Sequence, residues 1–559
     1  MSRKYDVCII GSGAGAGPVA FELAQAGRSV VVLEKGPLIK TAQFNKDEIV
    51  SSRRDVYTPR LLDEPQVIEW KNNENEYVSK SNRHGGINLW NGNVVGGSSN
   101  FMSAYFHRQK PNDFRLLSEY GPIKGANIVD WPVSYDDMEP YYTKVEQEIG
   151  VSGRVVNHKF LEPRSTDNFP YPPLAENIIS SWIDKAAESI GYEVIPLPRG
   201  ILSRPKEKRN ACVYSNFCGS YGCSSDAKGS SRAALLNRAI ETENCKVIPY
   251  AKVFFLETNG KNKVVRAYYH DSDKKVVKIE AGLFVVAAQA IESSRLLLLS
   301  KNKEFPYGLG NNSGQVGKNL LFSAGGVGYG YFHKDDFSEE EFQKLMQPGV
   351  FVNRSMQQWY EIDDPAFGKP VKGGSVDFLF EHANGIGKAI RQKWDDDGHL
   401  LYGSAFKKKL HHYFTKRKKL TFEVFNDWLP TDNCFVTLDK KEKDVWGVPV
   451  AKVRIDNHEH DIKVGEYLAQ KAENILKQMG AHDVGSSISG NPPPNLQAGG
   501  CRFGNNPATS VLDKNCKVHD VDNLYVSDGS FMPSGGSVPY TWTIYANAFR
   551  VADKIKERF

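Results

Sequence analysis

The sequence predicts an α/β protein in which an antiparallel-sheet domain is inserted into a domain built on a parallel sheet. The first observation is a strand, a glycine-rich turn, a helix and a second strand within residues 1–36. The second is a buried strand at 283–288 that would return to the same parallel sheet. The third is the stretch 320–455, which carries many short strand-like runs. A second domain inserted into the first gives this order of elements.

The opening unit has the sequence pattern of dinucleotide binding. An apolar strand at 5–10 leads into a turn of small residues, and a helix follows at 18–26. The residues of the turn are Gly11, Gly13, Ala14 and Gly15. The glycines allow the backbone to approach a pyrophosphate closely, and the helix N-terminus supplies amide donors. Glu34 ends the second strand, where a carboxylate accepts hydrogen bonds from a ribose. The alternative, a β-α-β unit without a ligand, leaves so many glycines unexplained.

The composition is that of an ordinary globular protein and excludes several classes. Of 559 residues, 40% are hydrophobic and 25% are charged, and no apolar run is long enough to predict a transmembrane helix. The net charge of +5 is small and does not indicate a nucleic-acid partner. We interpret the basic runs 407–409 and 416–419 as solvated faces, and His411 and His412 as surface residues. The chain enters its first strand directly, so we expect no signal peptide on it.

The sequence contains a second turn of small residues and predicts a division of the chain into domains. The turn at 93–100 can hold backbone amides against a phosphate or a flavin edge. Its candidate binding residues are Gly96, Gly97, Ser98 and Asn100. We predict a main cofactor-binding part at 1–320, which includes a cysteine stretch at 212–223, and a substrate domain at 321–490. Residues 491–559 would return to the first domain and carry the catalytic segments.

These motifs together resemble the glucose–methanol–choline (GMC) flavoprotein oxidoreductases over nearly the whole chain. The motifs that carry the resemblance are the fingerprint with Glu34, 95–99, 314–320, and 524–530 leading into Gly535 and Gly536. Within the family, the chain is most similar to the large subunits of bacterial gluconate, fructose and glucoside dehydrogenases. That similarity rests on three further stretches: 131–142, 150–153 and 212–223.

The resemblance implies a Rossmann-like FAD-binding domain with an inserted antiparallel-sheet substrate domain, the GMC fold, and FAD rather than NAD. In such proteins the fingerprint binds the ADP half, and the glycine–serine turn meets the flavin. Asp528 and Gly529 contact the pyrophosphate or the ribityl chain, and Val253 completes the implied cofactor-binding set. Some relatives attach FAD to a histidine just after the turn. Asn100 and Phe101 occupy those positions here, so we expect non-covalent FAD.

The cysteine stretch contains Cys212, Cys218 and Cys223. Clustered thiolates in a glycine-containing loop suit iron–sulfur or zinc ligation, and three of them match the needs of a three-iron (3Fe-4S) cluster. Related sugar dehydrogenases are similar here and carry an iron–sulfur cluster that passes electrons from the flavin to a cytochrome. Some relatives have a further cysteine where this chain has Ser215. The alternative is three small buried residues near the flavin without a metal.

The family's catalytic histidine is missing from this sequence. Flavin-dependent alcohol oxidation needs a base for the hydroxyl proton, and the family supplies a histidine at the start of a glycine motif. Leu496 occupies that position, and Val538 occupies the second catalytic position, which is a histidine or an asparagine in the family. The polar residues nearby are Asn495, Gln497, Cys501, Arg502 and Tyr540. None is a base at neutral pH without strong perturbation, and a structural role is favoured for each.

The sequence leaves three interpretations of function open. The first is an FAD-dependent dehydrogenase, rather than an oxidase, that acts on a sugar or related alcohol with a non-standard active site. The second is altered flavin chemistry, such as desaturation, decarboxylation or a lyase-type reaction, on a less polar substrate. Aliphatic Leu496 and Val538 would favour such a substrate. The third is a non-catalytic flavin or electron-relay subunit.

The resemblance also implies partners and a location. Related dehydrogenases pair with a small subunit that bears a twin-arginine signal, and they pass electrons to a cytochrome. With such a subunit the chain would be exported to the periplasm, and without one it would be cytoplasmic. We expect a small-molecule substrate and no nucleic acid.

Overall fold

The computed structural model describes residues 5–49, 62–85, 87–322, 325–488 and 496–559. The strands in these ranges are β1 (Tyr5–Ile10), β2 (Val30–Leu33), β3 (Val67–Lys71), β4 (Tyr77–Ser81), β5 (Ile195–Pro196), β6 (Cys245–Ile248), β7 (Lys252–Thr258), β8 (Val264–His270), β9 (Val276–Val286), β10 (Leu320–Leu321), β11 (Gly326–His333), β12 (Arg354–Met356), β13 (Glu361–Ile362), β14 (Val371–Lys372), β15 (Gly374–Phe380), β16 (Arg417–Asn426), β17 (Phe435–Lys443), β18 (Pro449–Arg454), β19 (His482–Ser487), β20 (Ala498–Gly499) and β21 (Leu524–Val526). The α-helices are α1 (Gly17–Gln25), α2 (Leu116–Tyr120), α3 (Tyr135–Val145), α4 (Ile179–Ser189), α5 (Asn237–Glu241), α6 (Ala290–Leu299), α7 (Glu339–Met346), α8 (Gly385–Arg391), α9 (Gly403–Thr415), α10 (Glu459–Gln478) and α11 (Thr541–Lys556). None of the helices described is both long and apolar enough to cross a membrane.

The parallel sheet has the order β6-β2-β1-β9, with β21 on the other side of β9. In β1, Val7 lies opposite Val30 of β2 and Leu283 of β9. These strands are almost continuously apolar because the sheet is covered on both faces, and α1 packs against α11 on one of them. The predicted return strand is the second half of β9, and the Rossmann-like prediction is confirmed.

A six-stranded antiparallel sheet, in the order β19-β11-β16-β15-β12-β5, forms the second layer. Helix α10 packs on it through an apolar stripe with helical spacing: Val464, Leu468, Ala472 and Ile475. Helix α4 packs against α10 and shares the same core. Since α4 and β5 precede residue 320, this core draws on more of the chain than the segment 321–490.

A third sheet joins two distant parts of the chain in the order β17-β18-β3-β4. Strand β18 runs parallel to β3, with Lys452 opposite Val67. One of the two partners of β3 therefore lies far along the chain, while the other, β4, follows it directly. No local pattern in the sequence indicates the pairing of β3 with β18.

A buried arginine fixes α3 against the preceding segment. The side chain of Arg108 is fully buried, and its guanidinium donates to Glu146 Oε1 at 2.8 Å and to Glu139 Oε1 at 2.8 Å. A third bond runs to Thr143 Oγ1 at 2.9 Å. Arg164 donates to both carboxylate oxygens of Glu146 at 2.7 Å. Two guanidinium groups therefore hold one buried carboxylate.

We expect the protein to lose stability as the pH falls from about 4.5 to about 2. Burial alone would raise the pKa of Glu139, but hydrogen bonds from Arg108 and Ser165 lower it from 4.5 to about 2. Lys110 similarly overcomes burial and lowers the pKa of Glu162 to about 2. A lowered folded-state pKa gives stability that is complete above the unfolded value and is lost as the pH falls through the folded value. Urea midpoints across this pH range measure it, and a flat profile would contradict it.

Candidate active site

A cavity of about 470 Å³ connects the two small-residue turns with the C-terminal segments. The predicted site residues on its wall are Gly11, Gly13, Ala14, Gly15, Glu34, Gly97, Ser98, Val253, Leu496, Gln497, Asp528, Gly529 and Tyr540. Other predicted residues are absent from the described lining: Gly96, Asn100, Cys212, Cys218, Cys223, Arg502 and Val538. The fold therefore brings the nucleotide fingerprint and one of the two catalytic positions to a common space.

Glu34 is fixed at the end of β2 by two hydrogen bonds. Ser12 Oγ donates to Glu34 Oε2 at 2.5 Å, and the Gly36 amide donates to Oε1 at 2.9 Å. Burial raises the pKa of Glu34, and these hydrogen bonds oppose the rise. Each carboxylate oxygen has a further lone pair, so the group suits a ribose diol. The Ser12 hydroxyl also accepts from the Gly96 amide at 2.9 Å, which joins the two turns.

The glycines of the fingerprint have two different roles. A Cβ built on Gly13 would meet no protein atom within 4 Å, so the space beside it is open for a ligand. A Cβ on Gly15 would lie 2.6 Å from the Ser527 carbonyl oxygen. Gly13 therefore leaves room for a pyrophosphate, whereas Gly15 allows the end of β21 to pack against the turn.

Asp528 lies on the cavity wall and is held there by hydrogen bonds. Its carboxylate accepts hydrogen bonds from the Gln289 amide at 2.9 Å, Ser293 Oγ at 2.5 Å and the Ser530 amide at 2.9 Å. Burial raises the pKa of Asp528, and the hydrogen bonds oppose the rise. With these donors the carboxylate fixes the position of Gly529 on the lining.

Asn100 supports the second turn from outside the cavity lining. Its side-chain amide donates to the carbonyl oxygens of Val95 and Gly97, both at 3.0 Å, and the residue is buried. The turn itself is one 3₁₀ segment, Gly97–Asn100. Gly97 and Ser98 therefore face the cavity while Asn100 supports them.

The first of the two predicted catalytic positions lines the cavity, and the second does not. Leu496 lines the cavity with a left-handed backbone, φ 59°. Val538 is fully buried away from the lining, where its neighbours Pro539 and Tyr540 appear instead. The Tyr540 hydroxyl donates to the Leu496 carbonyl oxygen, so the two segments are bonded to each other. Burial also raises the pKa of Tyr540 well above its ordinary value.

The remaining polar candidates take different positions. Gln497 lines the cavity, and its side-chain oxygen accepts a hydrogen bond from the side-chain amide of Gln289. Arg502 faces away, and its guanidinium donates to the carbonyl oxygens of Thr509 at 2.8 Å and Asn127 at 3.0 Å. Cys501 is buried beside Ser294. Asn495 lies outside the described residues.

His382 and Glu423 also line the cavity, and sequence reasoning missed both. Glu423 is on β16 and lies directly opposite Asp377 of β15, while His382 follows the end of β15. Asp377 is fully buried and contacts His107 Nε2 at 3.2 Å. Glu423 is the one acidic residue in 420–425, a run that is otherwise mostly apolar. That feature of the sequence could have identified it as a candidate. The six-stranded sheet and the segment that follows β15 thus place a carboxylate and an imidazole on the cavity wall.

The cysteine loop adjoins the cavity without its thiols reaching the lining. Ser220 lines the cavity, and its amide donates to the Phe101 carbonyl oxygen at 2.9 Å. The buried Lys228 ammonium donates to the carbonyl oxygens of Cys218 at 2.8 Å and Tyr221 at 2.9 Å. A side chain at Gly219 would collide with the His382 ring. The loop is therefore packed directly behind the cavity wall.

The three thiols differ in acidity. Burial raises the pKa of Cys212 to about 12 and also raises that of Cys218. For Cys223, the nearby Lys228 and hydrogen bonds from Ser225 outweigh burial and lower the pKa. In the described chain the three sulfur atoms do not all lie within 4.8 Å of one another. A single metal ion needs closer sulfurs than a cluster does, because the irons of a cluster stand between its thiolates.

Comparisons with known proteins agree with this geometry. Two GMC oxidoreductase family models match, the N-terminal one at residues 172–323 and the C-terminal one at 430–548. The chain is 28% identical to 2-methyl-1,2-propanediol dehydrogenase of Mycolicibacterium austroafricanum, covering 100% of this chain and 96% of that protein. It is also 28% identical to the fructose dehydrogenase large subunit of Gluconobacter japonicus, covering 98% and 97%. A formate oxidase structure from Aspergillus oryzae superposes with a TM-score of 0.65 at 15% identity, covering 100% and 99%.

The family models and the relatives define the class of protein as an FAD-dependent flavoprotein oxidoreductase. Both the N-terminal and the C-terminal domain of GMC oxidoreductases are thus matched in this chain, in chain order. Its relatives include dehydrogenases and oxidases, and at least one is the large subunit of a dehydrogenase. The open space at Gly13 and the carboxylate of Glu34 fit the ADP half of FAD.

Replacing Gly13 with alanine should weaken FAD binding about tenfold to a hundredfold. The added methyl group meets no protein atom, so it would compete with bound FAD for this space, and forcing a methyl into filled space costs about 1–3 kcal/mol. The unfolding midpoint of the FAD-free protein should stay unchanged. FAD titration of the deflavinated protein by fluorescence quenching measures this. Gly385→Ala is the matched control, because Gly385 also has open space and an ordinary φ. Equal affinities in both variants would contradict the assignment of Gly13.

Proposed function

We propose that this protein oxidises an alcohol group of a sugar or a related small molecule with non-covalently bound FAD, as a dehydrogenase. The observation that carries the proposal is the shared cavity. Its lining combines the dinucleotide fingerprint with Leu496 and with two side chains that can accept a proton, His382 and Glu423. The relatives that act on diols and sugars support the substrate class.

We assign the missing base to His382. FAD, when bound, would supply the hydride acceptor, so a side chain within reach of the substrate oxygen has to take the hydroxyl proton. Imidazole titrates near neutral pH, which suits that task. Tyr540 does not, because its hydroxyl donates to Leu496 and its pKa is far above neutral. Glu423 is assigned to accept hydrogen bonds from substrate hydroxyl groups.

Anaerobic mixing of the holoprotein with sugars, cyclitols and short diols tests the proposal. Bleaching of the visible flavin band by an alcohol supports it. If no alcohol bleaches the flavin, the dehydrogenase proposal is wrong. Reduction through a partner protein alone would then favour an electron-relay subunit. Rapid reoxidation of the reduced flavin by oxygen would identify an oxidase instead.

A second candidate is altered flavin chemistry on a less polar substrate, such as desaturation, decarboxylation or a lyase-type reaction. Apolar residues on the cavity wall favour it: Met102, Phe425, Leu496 and Ile544. Product analysis after turnover with apolar acids and alcohols distinguishes it, since an alkene or carbon dioxide would form instead of a carbonyl product.

Non-covalent FAD is supported by the position of Asn100. Its side-chain amide is bonded to two backbone carbonyl groups of the turn and is buried off the cavity wall. Acid precipitation followed by mass spectrometry tests this, because all flavin should leave the protein. A flavin adduct on the denatured chain would contradict it.

A 3Fe-4S cluster on Cys212, Cys218 and Cys223 is the further cofactor that we propose. All three thiols are unpaired in the described chain and lie in one loop behind the cavity wall, with Lys228 favouring the thiolate of Cys223. Such a cluster would relay electrons to a cytochrome, and a small subunit would complete the assembly. Iron and sulfide analysis of anaerobically purified protein tests the cluster, with Cys245→Ser as the control. Protein free of iron and sulfide would leave three metal-free buried thiols.

We propose cytoplasmic residence for the chain alone and periplasmic residence when it is exported with a signal-bearing small subunit. The relative that is a large subunit supports a partner. Fractionation of cells that express the chain with and without such a subunit tests the location. A location that is independent of the subunit would contradict co-export.

A further inference from the structure

A stretch of the substrate domain folds without burying any side chain. Every residue from 380 to 419 is exposed or only partly buried, although the stretch contains α8 and α9. Among these residues, large apolar side chains stand in solvent: Ile386, Ile390, Trp394, Leu400, Tyr402 and Phe414. We call these six residues the apolar tip. Exposed apolar groups at this density mark an interaction surface.

Polar contacts hold the stretch in shape. The Glu48 carboxylate accepts from the amides of Ile386 at 2.7 Å and Gly387 at 2.8 Å. Trp394 and Leu400 pair across a turn, and Lys409 Nζ donates to the Trp394 carbonyl oxygen at 2.7 Å. The apolar tip is therefore presented outwards by a folded scaffold that does not use it for packing.

The same stretch carries most of the chain's net positive charge. Residues 385–416 contain seven lysines and arginines against three aspartates, while the whole chain has a net charge of +5. Lys407 and Lys408 are exposed on α9 with His411 and Phe414. The basic run 407–409 thus lies beside exposed aromatic and apolar side chains. A face that only contacts water does not need such side chains.

We propose that the apolar tip and the lysines of α9 dock this protein onto an anionic lipid bilayer surface. Tryptophan and tyrosine favour the headgroup region of a bilayer, and nearby lysines gain from its negative potential. The elements involved are too short to span a bilayer, so docking is peripheral. An acidic protein or a second copy of the chain would meet the same charges, but neither requires Trp394 and Tyr402 to be exposed together in the segment between α8 and α9.

Docking would bring the cavity wall close to the bilayer. His382 and Asn384 line the cavity, and Asn384 immediately precedes α8. A hydrophobic substrate or electron acceptor dissolved in the bilayer would then have a short path to the cavity. The docking proposal does not depend on which reaction the flavin performs.

Sedimentation of the holoprotein with lipid vesicles tests the proposal. The partition coefficient on phosphatidylcholine–phosphatidylglycerol vesicles should exceed that on pure phosphatidylcholine about tenfold or more, and high salt should release the protein. The Lys407→Gln, Lys408→Gln double variant should lose about tenfold or more on the anionic vesicles. Trp394→Ser with Tyr402→Ser should also lower the partition coefficient on the anionic vesicles at low salt, because the aromatic rings favour the headgroup region.

Matched controls are available elsewhere on the surface. Tyr307 is 70% exposed, and Lys274 and Lys275 lie in an exposed turn. Tyr307→Ser and the Lys274→Gln, Lys275→Gln double variant should bind like the unaltered protein. Equal partition on neutral and anionic vesicles, or none on either, would overturn the proposal. Loss of self-association in the apolar-tip variants, seen by light scattering, would assign the surface to a second copy.

Discussion

Replacing His382 with asparagine should slow substrate-driven flavin reduction by about 10²–10⁴-fold, the usual contribution of a general base. Stopped-flow measurement of flavin bleaching at saturating substrate gives the rate directly. The FAD content should be unchanged, because His382 is on the substrate-domain wall of the cavity and not at the fingerprint. Glu423→Gln should act mainly on substrate affinity, because the amide keeps the shape and loses the charge.

The pH dependence separates a base from a residue that only packs. In the unaltered protein, the rate should rise with pH because a general base must be unprotonated to act, and in His382→Asn this rise should disappear. His399→Asn is the matched control, because His399 is exposed in the turn before α9. If Glu423→Gln stops turnover and His382→Asn leaves the rate and its pH profile unchanged, our assignment of the base is wrong.

Replacing Arg108 with methionine should destabilise the protein by about 3–5 kcal/mol, the usual result of removing one partner of a buried ion pair. Methionine fills much of the volume but leaves the buried Glu146 with Arg164 as its remaining cation. Burial already raises the pKa of Glu146 despite both guanidinium groups, so the carboxyl should take up a proton in the variant. The free energy of unfolding from urea titration measures the loss.

Arg115→Met is the control for this variant. Arg115 pairs with Glu119 across one helical turn, and its side chain is 60% exposed. Exposed pairs of this kind contribute about 0.3–0.5 kcal/mol, so the control should be nearly neutral. If the two variants lose similar amounts of unfolding free energy, burial of Arg108 does not determine its contribution to stability.

Local sequence patterns were enough to predict the fold of the first β-α-β unit. Strands β1 and β2, the glycine turn and Glu34 lie within one contiguous unit, so spacing alone predicted that they would lie together. The substrate end depends on pairing between distant strands. Glu423 reaches the wall because β16 pairs with β15, and no local period shows which wall that strand will form.

Proximity in sequence was a poor guide to the catalytic residues. Arg502 follows Leu496 closely in the chain, yet its guanidinium faces Asn127 and Thr509, away from the cavity. Val538 and Tyr540 are two residues apart, and only Tyr540 lines the cavity. In irregular segments the direction of each side chain is set by tertiary contacts, which spacing does not encode.

The contact between Gly15 and Ser527 determines when the cofactor site can exist during biosynthesis. Ser527 Oγ donates to the Gly15 carbonyl oxygen at 2.7 Å across a separation of 512 residues. The ribosome therefore releases the fingerprint early, but the wall that closes it, including Gly529, emerges only late in translation. A chain that stops before β21 would lack a closed site for FAD. Retained flavin therefore indicates that the chain has been synthesised past β21.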